Sequence, residues 1–367
     1  MYQMESPPNA RAIINGKEVD YFGGTGYLTF HHHPDIIKAA CEATQKYGVG
    51  TATSRAGYGN SPVLLEVEER AAAFFQSERA VYYVSGYLGN AILLQSQAPK
   101  YDIIFADAES HSSISNGALM ANKPVVSFAH CDAEDLENKL RATLKPSQRP
   151  LVICDGVFPA TGVVSPLQDY VTALNAYDQP LLCVDDAHAS GILGEHGTGS
   201  LEYCGVQGEG RYTSHTMSKA LGGHGGIITG TNAFIESLTH GSKIPYGSSS
   251  VPAPAAAATA KALEILSKHP EIRQQLWRNV AYAKNALRNI GVQDIPDNPV
   301  PIISIRSNKT DLNLLQQRLF EKGIAVLYSP GGSYSGVAPE GQLRIAIFSS
   351  HSTEQIDRLV TELAALL

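Results

Sequence analysis

The chain has 367 residues, 43% hydrophobic and 17% charged, with a net charge of -7; it exceeds the roughly 250–300 residues at which one core stops growing, so a large domain with a smaller one is expected. No run of about 18 apolar residues is free of charges or turn formers, which speaks against a helical membrane span, and scattered lysines and arginines in an acidic chain leave no footprint for nucleic acid. Met1-Tyr2-Gln3-Met4-Glu5-Ser6 lacks the basic start and apolar stretch of a secretory signal, and Cys41, Cys131, Cys154, Cys183 and Cys204 show no C-x-x-C spacing, so a cytoplasmic protein with reduced thiols is expected.

In chain order, residues 10–22 alternate loosely around Asn15-Gly16, a two-residue turn signal, and predict a β-hairpin leading into the loop Gly23-Gly24-Thr25-Gly26. His31-His32-His33 has no further ligand at metal-binding spacing, so no metal is expected. Ser61-Pro62 reads as a helix start, Ser at N-cap and Pro at N1, followed by Leu64, Val67, Ala71 and Phe74 at helical spacing.

Short apolar runs then alternate with helical patterns: Ala80–Val84, Ile103–Ala106, Val125–Phe128, Leu151–Cys154, Leu181–Val184 and Gly226–Thr229. Such alternation predicts βαβ units around a mostly parallel, covered sheet. The last hundred residues change character, with a long helical stretch near 253–291, a strand at Ile302–Arg306, a helix near 310–322, a strand at Leu343–Phe348 and a final helix opened by a capping box, Ser352 with Gln355. This reads as a small α+β domain.

Four segments carry chemistry. Thr216-Met217-Ser218-Lys219, followed by Gly222, Gly223, Gly225 and Gly226, sets one lysine among small polar residues and glycines; a lysine that forms a Schiff base needs such a desolvated site, whereas an ordinary one is solvated. Asp185-Asp186-Ala187-His188 follows the run Leu181–Val184, at the carboxyl end of a strand, where open α/β sheets bind ligands. A carboxylate there can pair with a pyridinium nitrogen, as Asp185 could, or can merely cap a helix or bind a metal. Ser85-Gly86-Tyr87-Leu88-Gly89-Asn90 joins a strand to a helix whose free N–H groups can cradle a phosphate, and the chain lacks G-x-x-x-x-G-K-[ST] and G-x-G-x-x-G. His111, in Glu109-Ser110-His111-Ser112-Ser113, follows the next strand and could stack on a ring.

Taken in this order, these segments resemble the α-oxoamine synthase family of fold-type I pyridoxal 5'-phosphate (PLP) enzymes, along nearly the whole chain. Tyr27-Leu28, His32-His33-Pro34, Tyr47-Gly48-Val49-Gly50-Thr51, Ser54-Arg55, Asp155-Gly156-Val157-Phe158, Ser248-Ser249-Ser250-Val251-Pro252 and Leu343-Arg344-Ile345 match as well. The resemblance implies an aspartate aminotransferase-like α/β fold: an N-terminal hairpin segment at 1–45 joining the small domain, a large PLP-binding domain at 46–265 and a small α+β domain at 266–367. It implies that Lys219 carries PLP as a Schiff base and serves as the base, that Asp185 pairs with the ring nitrogen, that His188 hydrogen-bonds the phenolic oxygen and that His111 stacks on the ring. Ser85, Gly86, Tyr87 and Thr216 would hold the phosphate, with Ser249 reaching over from the partner of a homodimer, and Arg344 would take the amino-acid carboxylate.

The implied reaction condenses a small amino acid with an acyl-CoA, releasing CoA and usually carbon dioxide to leave an α-amino ketone. Another PLP reaction on the same scaffold, aminotransfer or aldol-type cleavage, and a non-catalytic partner protein of this fold are the alternatives. Three departures surround the substrate: Pro159 where a serine is common, Thr25-Gly26 where Asn-Asp is usual, and Asn60 where many members have histidine. The opening residues also do not match the helix in which biotin-pathway members carry an arginine for their acyl chain, which points away from a pimeloyl donor.

Overall fold

The computed structural model describes residues 2–333 and 335–367. Its strands are β1 (Arg11–Ile14), β2 (Lys17–Tyr21), β3 (Arg79–Tyr83), β4 (Ile103–Asp107), β5 (Val125–Phe128), β6 (Pro150–Asp155), β7 (Leu181–Asp185), β8 (Arg211–Thr216), β9 (Gly226–Gly230), β10 (Ile302–Ile305), β11 (Ile324–Ala325), β12 (Leu327–Ser329) and β13 (Gln342–Ala346). The chain divides into two compact units, Asp35–Phe158 with Val164–Ser267 and, separately, the segment up to Pro34 with Pro159–Val163 and Lys268–Leu367.

The larger unit is built on one seven-stranded sheet in the order β3-β9-β8-β7-β6-β4-β5. The five strands from β5 to β8 run parallel, and β9 runs antiparallel between β8 and β3. The apolar runs are continuous because both faces of the sheet are covered. On β6, Leu151 and Ile153 pack with Ile92, Leu93 and Ile114 from the helices Gly89–Gln97 and Ser112–Ala121. The alternate residues Val152 and Cys154 pack with Leu136, Leu140, Leu167 and Leu174 from the helices Ala133–Thr143 and Leu167–Leu174. Each such side chain contributes about 1.5–3 kcal/mol when fully buried.

β8 was hidden in the sequence because Arg-Tyr-Thr-Ser-His-Thr has no apolar run. Its last three side chains, Ser214, His215 and Thr216, are buried, and each meets a hydrogen-bond partner. His215 stacks on Phe75 at 3.9 Å, its Nδ1 lies 2.8 Å from the Ser190 hydroxyl and its Nε2 2.9 Å from that of Thr213; burial pushes its pKa down to about 3, so it stays neutral. The helix predicted at Ser61-Pro62 forms as Pro62–Phe74, but the Ser61 hydroxyl makes no cap bond, and Pro at N1 marks the start alone.

The smaller unit holds two three-stranded sheets, β1-β2-β11 and β10-β13-β12. Asn15 and Gly16 both take left-handed backbone, φ 49° and 71°, the requirement of the two-residue hairpin turn that joins β1 to β2. β11 adds parallel to β2, and β13 lies antiparallel between β10 and β12. The single helical stretch expected near 253–291 is two helices, Ala253–Lys268 and Pro270–Asn289. Pro270 lacks an N–H and disfavours helical backbone at His269, whose φ and ψ are -127° and 65°. The capping box on the last helix, Thr353–Leu366, is complete in both directions. Among the described residues no helix is long and apolar enough to cross a membrane.

Candidate active site

In the larger unit the carboxyl ends of β6, β7 and β8 bring together groups far apart in sequence. Asp185 closes β7 and is 6% exposed. One of its oxygens accepts from Asn90 Nδ2 at 2.6 Å and Ser113 Oγ at 3.4 Å, and the other accepts from the backbone N–H of Ala187 at 3.0 Å. Asn90 is itself fixed, since its Nδ2 also donates to Ser113 Oγ at 2.9 Å and its Oδ1 accepts from Ser214 Oγ on β8 at 3.2 Å. A buried carboxyl group is thus held by Asn90, Ser113 and the Ala187 N–H, with both oxygens accepting, an arrangement that suits a donor group on a ligand.

Lys219 lies three residues beyond the end of β8, and its Nζ is 2.8 Å from Nε2 of His188, on the loop that leaves β7. His111 is the N-cap of the helix Ser112–Ala121: its Nδ1 accepts from the Ser113 N–H at 3.2 Å and lies 2.7 Å from the Ser113 hydroxyl. That lone pair is occupied, so the neutral ring carries its proton on Nε2. Burial lowers the His111 pKa, with the Asp185 carboxylate opposing and Lys219 adding to the shift. The backbone N–H of His111 donates to Asp155 at 2.7 Å. Asp155 closes β6 directly beside Asp185, and burial, reinforced by that second carboxylate, pushes its pKa well above the usual carboxylate range. Asp155 is thus driven towards the protonated form, beside an Asp185 whose oxygens accept from Asn90, Ser113 and Ala187.

The turn after β3 is built for close approach. Gly86 begins a short 3-10 turn that leads into the helix Gly89–Gln97, and a Cβ at Gly86 would lie 2.4 Å from Oγ1 of Thr216. Only glycine lets this backbone touch the Thr216 side chain. The first N–H groups of a helical segment, lacking partners within it, then stand beside a threonine hydroxyl, an arrangement suited to a phosphate. Ser85 is half-buried and Tyr87 exposed, its ring edge-on to His111 at 5.8 Å. A lysine, a fixed carboxylate, an imidazole and a phosphate cradle on one sheet edge fit PLP group for group.

Residues 23–363 match the family model described as aminotransferase class I and II. The chain belongs to that family. It is 34% identical over 362 residues to an 8-amino-7-oxononanoate synthase of Alkaliphilus oremlandii (strain OhILAs), covering 97% of this chain and 90% of that protein. It is 32% identical over 358 residues to 8-amino-7-oxononanoate synthase 1 of Bacillus subtilis (strain 168), with the same coverage of 97% and 90%. A serine palmitoyltransferase from S. paucimobilis, solved with a bound PLP–myriocin aldimine, superposes with a TM-score of 0.92 at 26% identity, over 100% of this chain and 92% of that one. The cofactor of this chain is PLP, and the chain is a PLP-dependent acyltransferase.

Arg344 belongs to the smaller unit, on β13, and is 6% exposed. Its Nε donates to the Pro159 carbonyl at 2.8 Å, Nη1 to the Gly24 carbonyl at 3.2 Å and Nη2 to the Tyr27 hydroxyl at 2.9 Å. All three partners are neutral, so a buried positive charge is positioned without an ion pair. Pro159, a departure from the family pattern, serves here through its carbonyl, which proline retains. Asn60, another departure, braces Arg55: its Oδ1 accepts from Arg55 Nε at 2.9 Å, while Arg55 forks onto both oxygens of Glu68. Ser249 is exposed, its backbone bridged to Ser54.

Asn90, Ser113 and Asp155 were absent from the residues singled out in the sequence, although all three lie inside or beside the segments quoted there. Asp107, His130 and Cys131 also converge, their donor atoms within 4.8 Å of one another. Both oxygens of Asp107 already accept backbone N–H groups, from Glu109 and Cys131, and burial together with the Asp107 carboxylate pushes the Cys131 thiol up to about 12. A protonated thiol in a hydrogen-bonded cluster braces the ends of β4 and β5.

Proposed function

We propose that this enzyme condenses a small amino acid such as glycine, alanine or serine with an acyl-CoA, as a homodimer, and releases CoA and carbon dioxide to give an α-amino ketone. The observation that carries this reading is Lys219 Nζ against His188 Nε2 at 2.8 Å, on the strand edge that also bears the buried Asp185 carboxylate. Relatives named 8-amino-7-oxononanoate synthase and serine palmitoyltransferase add support for the class of reaction.

When bound, PLP supplies an electron sink for the pair left at the substrate Cα. The residues of this chain do the rest. Lys219 carries the cofactor and, once displaced by the substrate amine, takes the Cα proton on Nζ. Asp185 would pair with the ring nitrogen and favour its protonated form; the donors Asn90, Ser113 and the Ala187 N–H fix the position of that carboxyl group. His188 would donate to the phenolic oxygen. His111 would lie over the ring, its Nδ1 being tied to Ser113. Ser85, Gly86, Tyr87 and Thr216 receive the phosphate, with Ser249 contributed by the partner subunit. Arg344 receives the amino-acid carboxylate as a planar fork. The new bond joins Cα to the acyl carbon, the C–S bond breaks and CoA leaves as its thiol; the Cα–carboxylate bond then breaks to release carbon dioxide, and a proton takes its place on Cα.

The test is direct. Purified protein should show a near-visible band that borohydride bleaches with label on Lys219, and amino acid plus acyl-CoA should release free thiol. If no acyl-CoA releases thiol while 2-oxo acid accumulates from the amino acid, aminotransfer replaces this reading. Arg344→Ala should raise KM for the amino acid by about 10- to 150-fold, the size of a lost charge-assisted contact of roughly 1.5–3 kcal/mol, and leave KM for acyl-CoA unchanged. An equal rise in both would remove Arg344 from carboxylate recognition.

A further inference from the structure

We propose that a groove of about 430 Å³ in the smaller unit seats the acyl chain of the acyl-CoA and selects an aliphatic chain with an uncharged end. This rests on the acyltransferase reading and on Arg344 as the carboxylate anchor. The bond made in that reaction joins the acyl carbon to Cα, the atom bonded to the anchored carboxylate. The acyl chain therefore starts within a few bonds of Arg344 and must run along walls next to it.

Several residues that line the groove are neighbours of Arg344. Leu327, on its rim, is the register partner of Arg344 across β12 and β13. Tyr21, inside it, has a pKa raised by burial and drawn back by the Arg344 charge, so the two are close. Gly23, also in the wall, adjoins Gly24, whose carbonyl accepts from Arg344. The far side is Met4, Ile14, Phe320 and Val326. Met4 and Leu327 leave 40% and 44% of their surface in solvent, apolar area that a seated alkyl chain would cover. The volume lies within the usual range of small-molecule sites, roughly 300–1,000 Å³.

No described residue lining the groove is charged, its polar members being tyrosines, Asn313 and Gln316. The Tyr2 hydroxyl and the Gln316 amide bond each other. Lys17, above the Phe320 ring, donates to the carbonyls of Phe320 and Glu321. A chain ending in a carboxylate, such as an amino-oxononanoate product requires, would be stripped of water there with no charged residue among the described lining to receive it. An alkyl end loses nothing.

The experiment measures KM for straight-chain acyl-CoAs from two to twelve carbons, with heptanoyl-CoA against pimeloyl-CoA, in the wild type and in Leu327→Trp and Met4→Trp. Both positions are on the exposed rim, and the cofactor band and its response to amino acid report whether each variant is intact. KM should fall about two- to fourfold per methylene until the groove is full, and heptanoyl-CoA should be preferred to pimeloyl-CoA. The tryptophan variants should raise KM for decanoyl-CoA by about tenfold or more, the loss of several seated methylenes, and leave acetyl-CoA and the amino acid unaffected. A flat chain-length profile, preference for pimeloyl-CoA, equal effects on short and long donors, or a changed oligomeric state with an unchanged profile overturns the assignment. Thiol release from none of the donors overturns the acyltransferase reading itself, a result distinct from release without chain-length dependence.

Discussion

Lys219→Ala is expected to lower turnover by at least about 10³-fold, in the range for removal of a positioned base, and to abolish borohydride trapping of the cofactor. Two proposed roles vanish at once, because the same nitrogen is proposed to anchor the cofactor and to take the Cα proton. The turn at Gly86 beside Thr216, proposed to take the phosphate, and the carboxylate of Asp185 are untouched, so PLP should still bind non-covalently and be removable by dialysis. Lys219→Arg should fail equally, since a guanidinium is too weak a nucleophile and base to replace an amine at neutral pH. Single-turnover mixing followed by mass spectrometry of the borohydride-treated protein checks both points. Retention of more than about a tenth of wild-type turnover in Lys219→Ala would remove the lysine from the chemistry.

How far the sequence reached can be judged residue by residue. Lys219 and Asp185 stood out because each lies beside a segment with its own signature, the glycines that follow the lysine or the apolar strand that ends at Asp185. The parallel sheet was legible for the same reason, apart from β8, whose hydroxyl groups and histidine are buried through hydrogen bonds that no periodicity encodes. Asn90 was quoted merely as the end of a turn. Its function depends on strand order, which brings it against Asp185, 95 residues away, and Ser214, 124 residues away. For Arg344 the resemblance implies a carboxylate-binding role, while its support by the carbonyls of Pro159 and Gly24 is a property of backbone, which residue type does not report. His111 reads as a stacking ring in the sequence; the fold adds that its Nδ1 caps a helix, which fixes the tautomer.

Asp185→Asn should be the second most damaging single change, and it separates charge from shape. The wild-type carboxylate uses both oxygens as acceptors, one towards Asn90 and Ser113, the other towards the Ala187 N–H. An asparagine has one oxygen, so either orientation sets its NH₂ against a donor and leaves a buried group unsatisfied, at about 1–3 kcal/mol. A thermal or denaturant melt without PLP should therefore show destabilisation of that size. In the loaded enzyme the negative charge beside the ring nitrogen is lost, and turnover should fall by roughly 10²–10³-fold, the scale of removing one preorganised electrostatic partner. Lys219 should still be trapped by borohydride. Asn90→Ala frees one contact of the carboxylate but keeps its charge, so it should weaken PLP affinity and reduce turnover by less than Asp185→Asn does. Equal activity losses in the two variants, with no difference in the melt, would mean that Asp185 acts through packing alone. A larger loss for Asp185→Asn assigns the catalytic effect to its charge, with Asn90 keeping that charge in place.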